Sequence, residues 1–299
     1  MALEIHNTPE SIGAEISGVD PSRALDGATV AAIEQAFLDR RVLLFRGQPL
    51  DVHQLVRLSA SFGALQPHVQ KSYQHPDAPD IVVMSNVDKD GRFNEAGARR
   101  GASEDLRDGW HSDLSYDPVP AKATLLHAQE IPSRGGNTCF TDTAAAYVSL
   151  PETLKSHLAG LQAEFQYGGH ARNKKTSLAA STLADDSQTV AIHPVICAHP
   201  ITGQPSIYVN PLITTRILGV DETRSEALLE DLFDVIDRPE FRWEHDWRIG
   251  DTLMWENRGG IMHSGRLDYP RDERRIFIRT TVSGAGPIAM HQTVQPAGP

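Results

Sequence analysis

The 299 residues are 40% hydrophobic and 22% charged, ample material for a packed core and far from the profile of a collagen, a coiled coil or a disordered tail. Thirty-nine acidic residues against 28 basic ones give a net charge of −11, which argues against general binding to nucleic acid or anionic membranes, since both need clustered Lys and Arg. Two cysteines, Cys139 and Cys197, exclude a disulfide framework and a zinc ribbon; their apolar settings, TCF and VICA, read as buried reduced thiols. The opening MALEIHNTPESIG has neither the basic nor the apolar region of a secretory signal, and no stretch approaches the ~20 apolar residues of a membrane span. The expectation is a soluble cytoplasmic protein.

In chain order, the opening alternates weakly through Ile12, Ala14 and Ile16 and turns at Gly18. A helix is predicted from about Ala28 to Asp39, with Val30, Ile33 and Phe37 on one face, then a short β run at 42–46 closed by Gly47. A second helix carries Leu55, Leu58 and Phe62. From Ile81 the texture changes to short apolar runs between turn residues: IVVM, ATLLHA, SIYVN, FRWEH, TLMWE and RRIFIRTTV read as strands. Asp142 caps a helix bearing Tyr147, Leu154, Leu158 and Leu161, which Pro151 should break or restart. Asp221 caps another bearing Leu228, Leu229, Leu232 and Ile236, able to pack internally or against a second copy, so a homo-oligomer stays open. Two long inserts, 88–109 and 170–189, are polar and Gly- or Ser-rich, as lids are. With no βαβ alternation, no GxGxxG and no Walker A sequence, residues 1–299 read as one mainly β domain, a barrel or sandwich with peripheral helices.

The sharpest local feature is Trp110-His111-Ser112-Asp113. On a strand, residues i and i+2 share a face roughly 6–7 Å apart, so an imidazole and a carboxylate so placed can converge on one metal ion. A set of two His and one carboxylate leaves three positions open on Fe(II), as oxygen chemistry requires. The triplet recurs at His75-Pro76-Asp77, but QHPDAPD, with its two prolines, reads as a loop. The candidate third ligand is His263, near the end of a predicted strand, although any one of the 13 histidines is more often structural than a ligand. Between Glu256 and Arg279 lie six Arg and four acidic residues, a positive island in an acidic chain. Strand period puts Arg275 and Arg279 on one face and Arg274 on the other. Two inward guanidiniums call for small anionic ligands, bound bidentately, whereas Arg274 reads as a surface residue.

At this point the chain resembles the taurine/2,4-D dioxygenase family of Fe(II)- and 2-oxoglutarate-dependent oxygenases, from about Ile12 to Gly284. The blocks GAEISGVD, VLLFRGQPL, FGAL, WHSDLSY, PSRGGNTCFTDTAAAY, HPVICAHPITGQPSIYVN, ITTRILGV, WENRGGIMHSGRLDYP and RRIFIRTTV carry it, in the family's order. The resemblance implies a double-stranded β-helix (jelly-roll) core, Fe(II) held by His111, Asp113 and His263, and 2-oxoglutarate held at its distal carboxylate by Thr138 and Arg275. It also implies O₂ as oxidant and a small anionic organic substrate met by Arg279 and His68. Lys71 stands where taurine-type enzymes carry an aromatic residue, and insert 88–109 is similar to that of the 2,4-D type, whereas VNPLITTRILGVDE is similar to the taurine type. Two other classes compete: a hydrolase in which Zn²⁺ activates water, and a non-catalytic jelly-roll binding protein. No obvious general base accompanies His111 for the first, and the retained ligand set disfavours the second. The acidic balance disfavours a nucleic-acid demethylase.

Overall fold

The computed structural model describes residues 3–67, 73–166, 190–286 and 288–290. The helix Gly27–Arg40 starts where the Asp26 side chain accepts a hydrogen bond from Thr29 N, and it buries Ile33, Ala36 and Phe37. The strand Val42–Phe45 follows, all four residues buried. A capping box between Asp51 and Gln54 then opens the helix Val52–Ala60, which buries Leu55 and Leu58. Phe62 lies beyond the end of this helix yet is buried in the same core.

The largest sheet has eight strands in the order Glu4–Asn7, Ala14–Ser17, Val42–Phe45, Thr252–Glu256, Ala123–Glu130, Ile276–Val282, Ala78–Ser85 and Gln74–His75. A four-stranded sheet runs Arg242–His245, Thr138–Asp142, Ile261–Arg266 and Ala102–Ser103. Phe140 of the small sheet meets Trp255 of the large one edge-on at 5.8 Å between ring centroids, within a core that also holds Leu126, Ile261 and Phe277. The faces of these two sheets therefore pack together, and the site lies between them. Two further three-stranded sheets include Gln162–Gln166 and Pro205–Ile207. The helix Glu222–Ile236, capped by Asp221, turns Leu228, Leu229, Leu232 and Ile236 into the core beside Phe165 and Tyr208. Its apolar face is thus satisfied within the chain.

The strand runs predicted from Ile81 onward form, except that SIYVN is strand only at Ser206 and Ile207, within Pro205–Ile207, and leaves the sheet at Tyr208; Pro151 divides the helical pattern into Thr143–Ser149 and Glu152–Leu158, with Leu150 extended before the proline. QHPDAPD needs correction. Gln74–His75 pairs antiparallel with Ala78–Ser85, and a register shift between Gln74 and His75 leaves Pro79 without a partner on that side. A bulged edge hairpin accommodates prolines that a central strand would not. Insert 88–109 is built from the short helices Glu95–Ala98 and Leu106–Gly109 around Ala102–Ser103, which pairs parallel with Gly265 and Arg266. Insert 170–189 lies outside the described residues. Both cysteines are free and buried, and burial pushes both thiols up to about 12.

His127 sits in the middle of the large sheet, where its Nε2 accepts from Leu50 N at 3.1 Å and its Nδ1 meets Thr252 Oγ1 at 2.9 Å. Burial pushes its pKa down to about 4, so the ring is neutral when folded. Between about pH 6.5 and 4 the unfolded chain takes up a proton there that the folded chain refuses. Stability should fall as pH drops through that window, measured as a lower urea midpoint at pH 4.5 than at pH 7.

Candidate metal centre

His111 and His263 are joined before any metal enters. Each donates its backbone N–H to the other's carbonyl, at 3.1 and 2.9 Å, in an isolated antiparallel bridge, and their ring centroids stand 4.2 Å apart. His263 belongs to the strand Ile261–Arg266, whereas His111 has no strand of its own. The expected strand geometry for His-x-Asp is therefore wrong. Past His111 the chain enters a turn at Asp113, with Leu114 held at φ 56°. A branched side chain in the left-handed region costs of order 1–3 kcal/mol and persists only where its surroundings enforce it.

The turn brings the Asp113 carboxylate among five neighbours. Its Oδ2 accepts from Thr124 Oγ1 at 2.6 Å and Trp255 Nε1 at 3.2 Å, and its Oδ1 lies 3.0 Å from Arg279 Nη2. Asn257 completes the cradle: its Oδ1 accepts from Asp113 N and its Nδ2 donates to Thr124 Oγ1, both at 3.1 Å. The imidazoles of His111 and His263 stand at 4.0 and 3.8 Å from the carboxylate. Burial is the largest single influence and opposes ionisation of Asp113, but the Arg279 guanidinium, the two imidazoles and the Thr124 hydroxyl together outweigh it and hold the carboxyl well below the usual range. Burial also lowers His111, and it pushes His263 down to about 3. Both rings are consequently neutral at pH 7 and offer lone pairs. The Gly109 carbonyl, 2.8 Å from His111 Nδ1, fixes that tautomer and leaves Nε2 as the ligand atom.

These residues fit an iron ion. One nitrogen or oxygen from each of His111, Asp113 and His263 lies within 4.8 Å of the others, and the imidazole–carboxylate separations exceed a hydrogen bond. The three donors converge on one point, and a cation there would draw them slightly closer, to about 2.1 Å each. Replacing Thr124 by Val removes a hydrogen bond to Asp113 without changing side-chain size. It should weaken Fe(II) binding about 10- to 100-fold, read by metal titration of the apoprotein, with the fold intact.

The set opens on a cavity of about 210 Å³ lined from both sheets, with Arg275, Arg279 and Thr138 in its wall. Arg275 stacks over Phe277 at 4.3 Å and donates from Nε to the Gly136 carbonyl at 3.1 Å. It has no acidic partner among the described residues, and burial lowers its pKa to about 10, still charged at pH 7. Gly136 has φ +70°, and a β-carbon there would stand 3.1 Å from Arg275 Nε, so the bare backbone lets the guanidinium lie flat. Thr138 accepts from Trp247 Nε1 at 3.1 Å, which leaves its own hydroxyl proton for a second partner. The rest of the positive island is neutralised, Arg258 by Glu256 within the island and the others from elsewhere: Arg266 by Glu244, Arg271 by Glu95, and Arg274, outward as expected, by Glu130. Only Arg275 and Arg279 of that island reach the cavity. His68 and Lys71 lie outside the described residues. Thr124, Trp255 and Asn257 went unread in the sequence, where a polar atom inside an apolar strand carries no local mark.

The family model for taurine catabolism dioxygenase TauD, TfdA family, matches residues 4–281. The alpha-ketoglutarate-dependent 2,4-dichlorophenoxyacetate dioxygenase of Burkholderia sp. (strain RASC) is 34% identical over 268 residues, covering 87% of this chain and 88% of that protein. Pentalenolactone F synthase of Streptomyces avermitilis is 32% identical over 296 residues, covering 94% of each. Among solved structures, AAD-2 in complex with Mn(II) and N-oxalylglycine superposes with a TM-score of 0.79 at 26% identity, covering 99% of this chain and 100% of that one. With a matching family model over nearly the whole chain and a buried His-Asp-His set at its centre, the chain belongs to the TauD, TfdA family of 2-oxoglutarate-dependent dioxygenases.

Proposed function

We propose that the chain hydroxylates a small organic anion, such as an aryloxyalkanoate, a sulfonate or a related acid. In that reaction R–H, O₂ and 2-oxoglutarate become R–OH, succinate and CO₂. The observation that carries this reading is the coexistence in one cavity of a buried His-Asp-His set and a guanidinium, Arg275, without a carboxylate of its own. Bound iron would supply the site at which 2-oxoglutarate and O₂ react. The chain's own residues do the rest. His111, Asp113 and His263 hold the ion. Arg275 and the Thr138 hydroxyl take the distal carboxylate of 2-oxoglutarate, and Arg279 both anchors Asp113 and faces the primary substrate, joined by His68. An apolar wall including Val82, Met84, Leu126 and Ile213 excludes water and accepts the substrate's body. The relative acting on 2,4-dichlorophenoxyacetate and the Mn(II)–N-oxalylglycine neighbour support the substrate class and the pairing of metal with an oxo-acid.

The two packed sheets support a jelly-roll core spanning a single domain over residues 1–299, with the insert at 88–109 over the site. A cytoplasmic setting agrees with the free thiols. The test is a succinate-release screen against carboxylates, sulfonates and sulfate esters, run with and without oxygen. Oxygen-dependent succinate with at least one of them is expected. Product formed under nitrogen without succinate would instead establish a hydrolase.

A further inference from the structure

One tryptophan stands behind both groups assigned to the distal carboxylate. Trp247 is buried and follows the strand Arg242–His245, whose last residue pairs with Thr138. Its Nε1 donates to Thr138 Oγ1 at 3.1 Å. Its ring meets Phe277 edge-on, with centroids 4.7 Å apart, and Phe277 is the ring over which the Arg275 guanidinium lies. Thr138 and Arg275 line the metal cavity, whereas Trp247 and Phe277 border a second cavity of about 150 Å³ together with Gly136. The two rings thus form a layer behind the hydroxyl and the guanidinium.

The loop that carries Trp247 is tied down by a fully buried carboxylate. Asp251 accepts from His245 Nε2 and from Arg248 N, both at 3.0 Å, and from Gly47 N at 2.8 Å. The chain is therefore held two residues before Trp247 and one residue after it, and the His245 ring packs edge-on against the indole at 4.7 Å. An indole carries one N–H and no in-plane acceptor, so Thr138 Oγ1 must accept in this contact and its own proton must point elsewhere. Among the described residues that proton has no acceptor, although Thr138 is buried and its side chain borders the cavity. A buried hydroxyl proton that faces a cavity without a partner calls for a ligand acceptor.

We propose that Trp247 is a positioning residue for the oxo-acid cosubstrate. It turns the Thr138 hydroxyl outward and, through Phe277, props the Arg275 guanidinium beside it, so that both meet one carboxylate. This rests on the oxygenase reading above for what the two groups bind.

The experiment titrates the Fe(II)-loaded protein anaerobically with 2-oxoglutarate and with 2-oxobutyrate, followed by charge-transfer absorbance. The second compound has the same oxo-acid end and no distal carboxylate. Wild type should bind 2-oxoglutarate about tenfold or more tightly than 2-oxobutyrate. Trp247→Phe keeps an aromatic ring and removes the N–H. It should weaken 2-oxoglutarate about fivefold or more and leave 2-oxobutyrate and Fe(II) within about twofold. Benzothienylalanine at position 247, which puts sulfur in place of the N–H and keeps both rings, should reproduce that loss with the packing intact. Because the N–H acts through Thr138, the double variant Thr138→Val/Trp247→Phe should bind 2-oxoglutarate within about twofold of Thr138→Val alone. Three results would overturn the proposal: a 2-oxoglutarate affinity within twofold of wild type in either replacement, an equal loss for the two oxo acids, or losses that multiply in the double variant. Wild type that binds the two oxo acids alike would take the distal carboxylate away from Thr138 and Arg275; the oxygenase reading of the cavity then fails, and the role of Trp247 falls with it.

Discussion

Asp113→Ala is expected to abolish substrate-dependent succinate formation. The substitution removes the only carboxylate among the three converging ligands. Loss of a residue that merely orients a ligand costs 10- to 100-fold in metal affinity, so loss of a ligand should exceed that range. A second effect comes from the surroundings. Arg279, whose side chain is only 15% exposed, would keep its charge without the carboxylate that faces it, and Thr124 and Trp255 would lose their acceptor. Removing one partner of a largely buried pair costs about 3–5 kcal/mol, so the variant should also unfold at a lower temperature. The two effects separate cleanly. Circular dichroism reports the fold, metal titration reports the site, and Asp113→Asn keeps the shape while lowering ligand strength. A folded Asp113→Ala protein that still releases succinate at the wild-type rate would remove Asp113 from the metal set.

The second large effect divides the two arginines of the cavity wall. Arg275→Ala should raise the 2-oxoglutarate KM about 10- to 100-fold, the worth of a charge-assisted contact to a desolvated guanidinium, with little change in Fe(II) affinity. Arg279→Ala should act differently because of the 3.0 Å contact to Asp113. It should weaken the primary substrate and also loosen the metal, since the carboxylate loses a neighbour that helps hold it ionised in a buried place. Fe(II) titration therefore discriminates between the variants even before a substrate is known. Identical losses in 2-oxoglutarate and Fe(II) affinity from the two substitutions would contradict this division.

Much of the site is legible in the sequence, but not its construction. Ordered family blocks point to His111, Asp113 and His263, whereas strand periodicity misplaces the first two. The turn at Leu114 that swings Asp113 inward is a left-handed residue without a glycine to announce it. The arginine island is visible as local charge, but Glu244, Glu95 and Glu130, which neutralise three of its members, are remote in sequence. Net charge over a segment cannot see partners that only the fold supplies. Insert 88–109 reads as polar lid because none of its short elements has a periodic apolar face. Its order comes instead from two backbone residues added to the edge of a sheet. The prolines of QHPDAPD mislead for the related reason that a bulged edge strand tolerates them.

The most direct test of the central claim is anaerobic addition of Fe(II) and 2-oxoglutarate to the purified protein, followed in the visible spectrum. A weak charge-transfer band should appear, saturate at one equivalent of iron per chain, and be absent from Asp113→Ala. No band with the wild-type protein, together with substrate breakdown under nitrogen, would contradict the account and leave a metal-dependent hydrolase in its place.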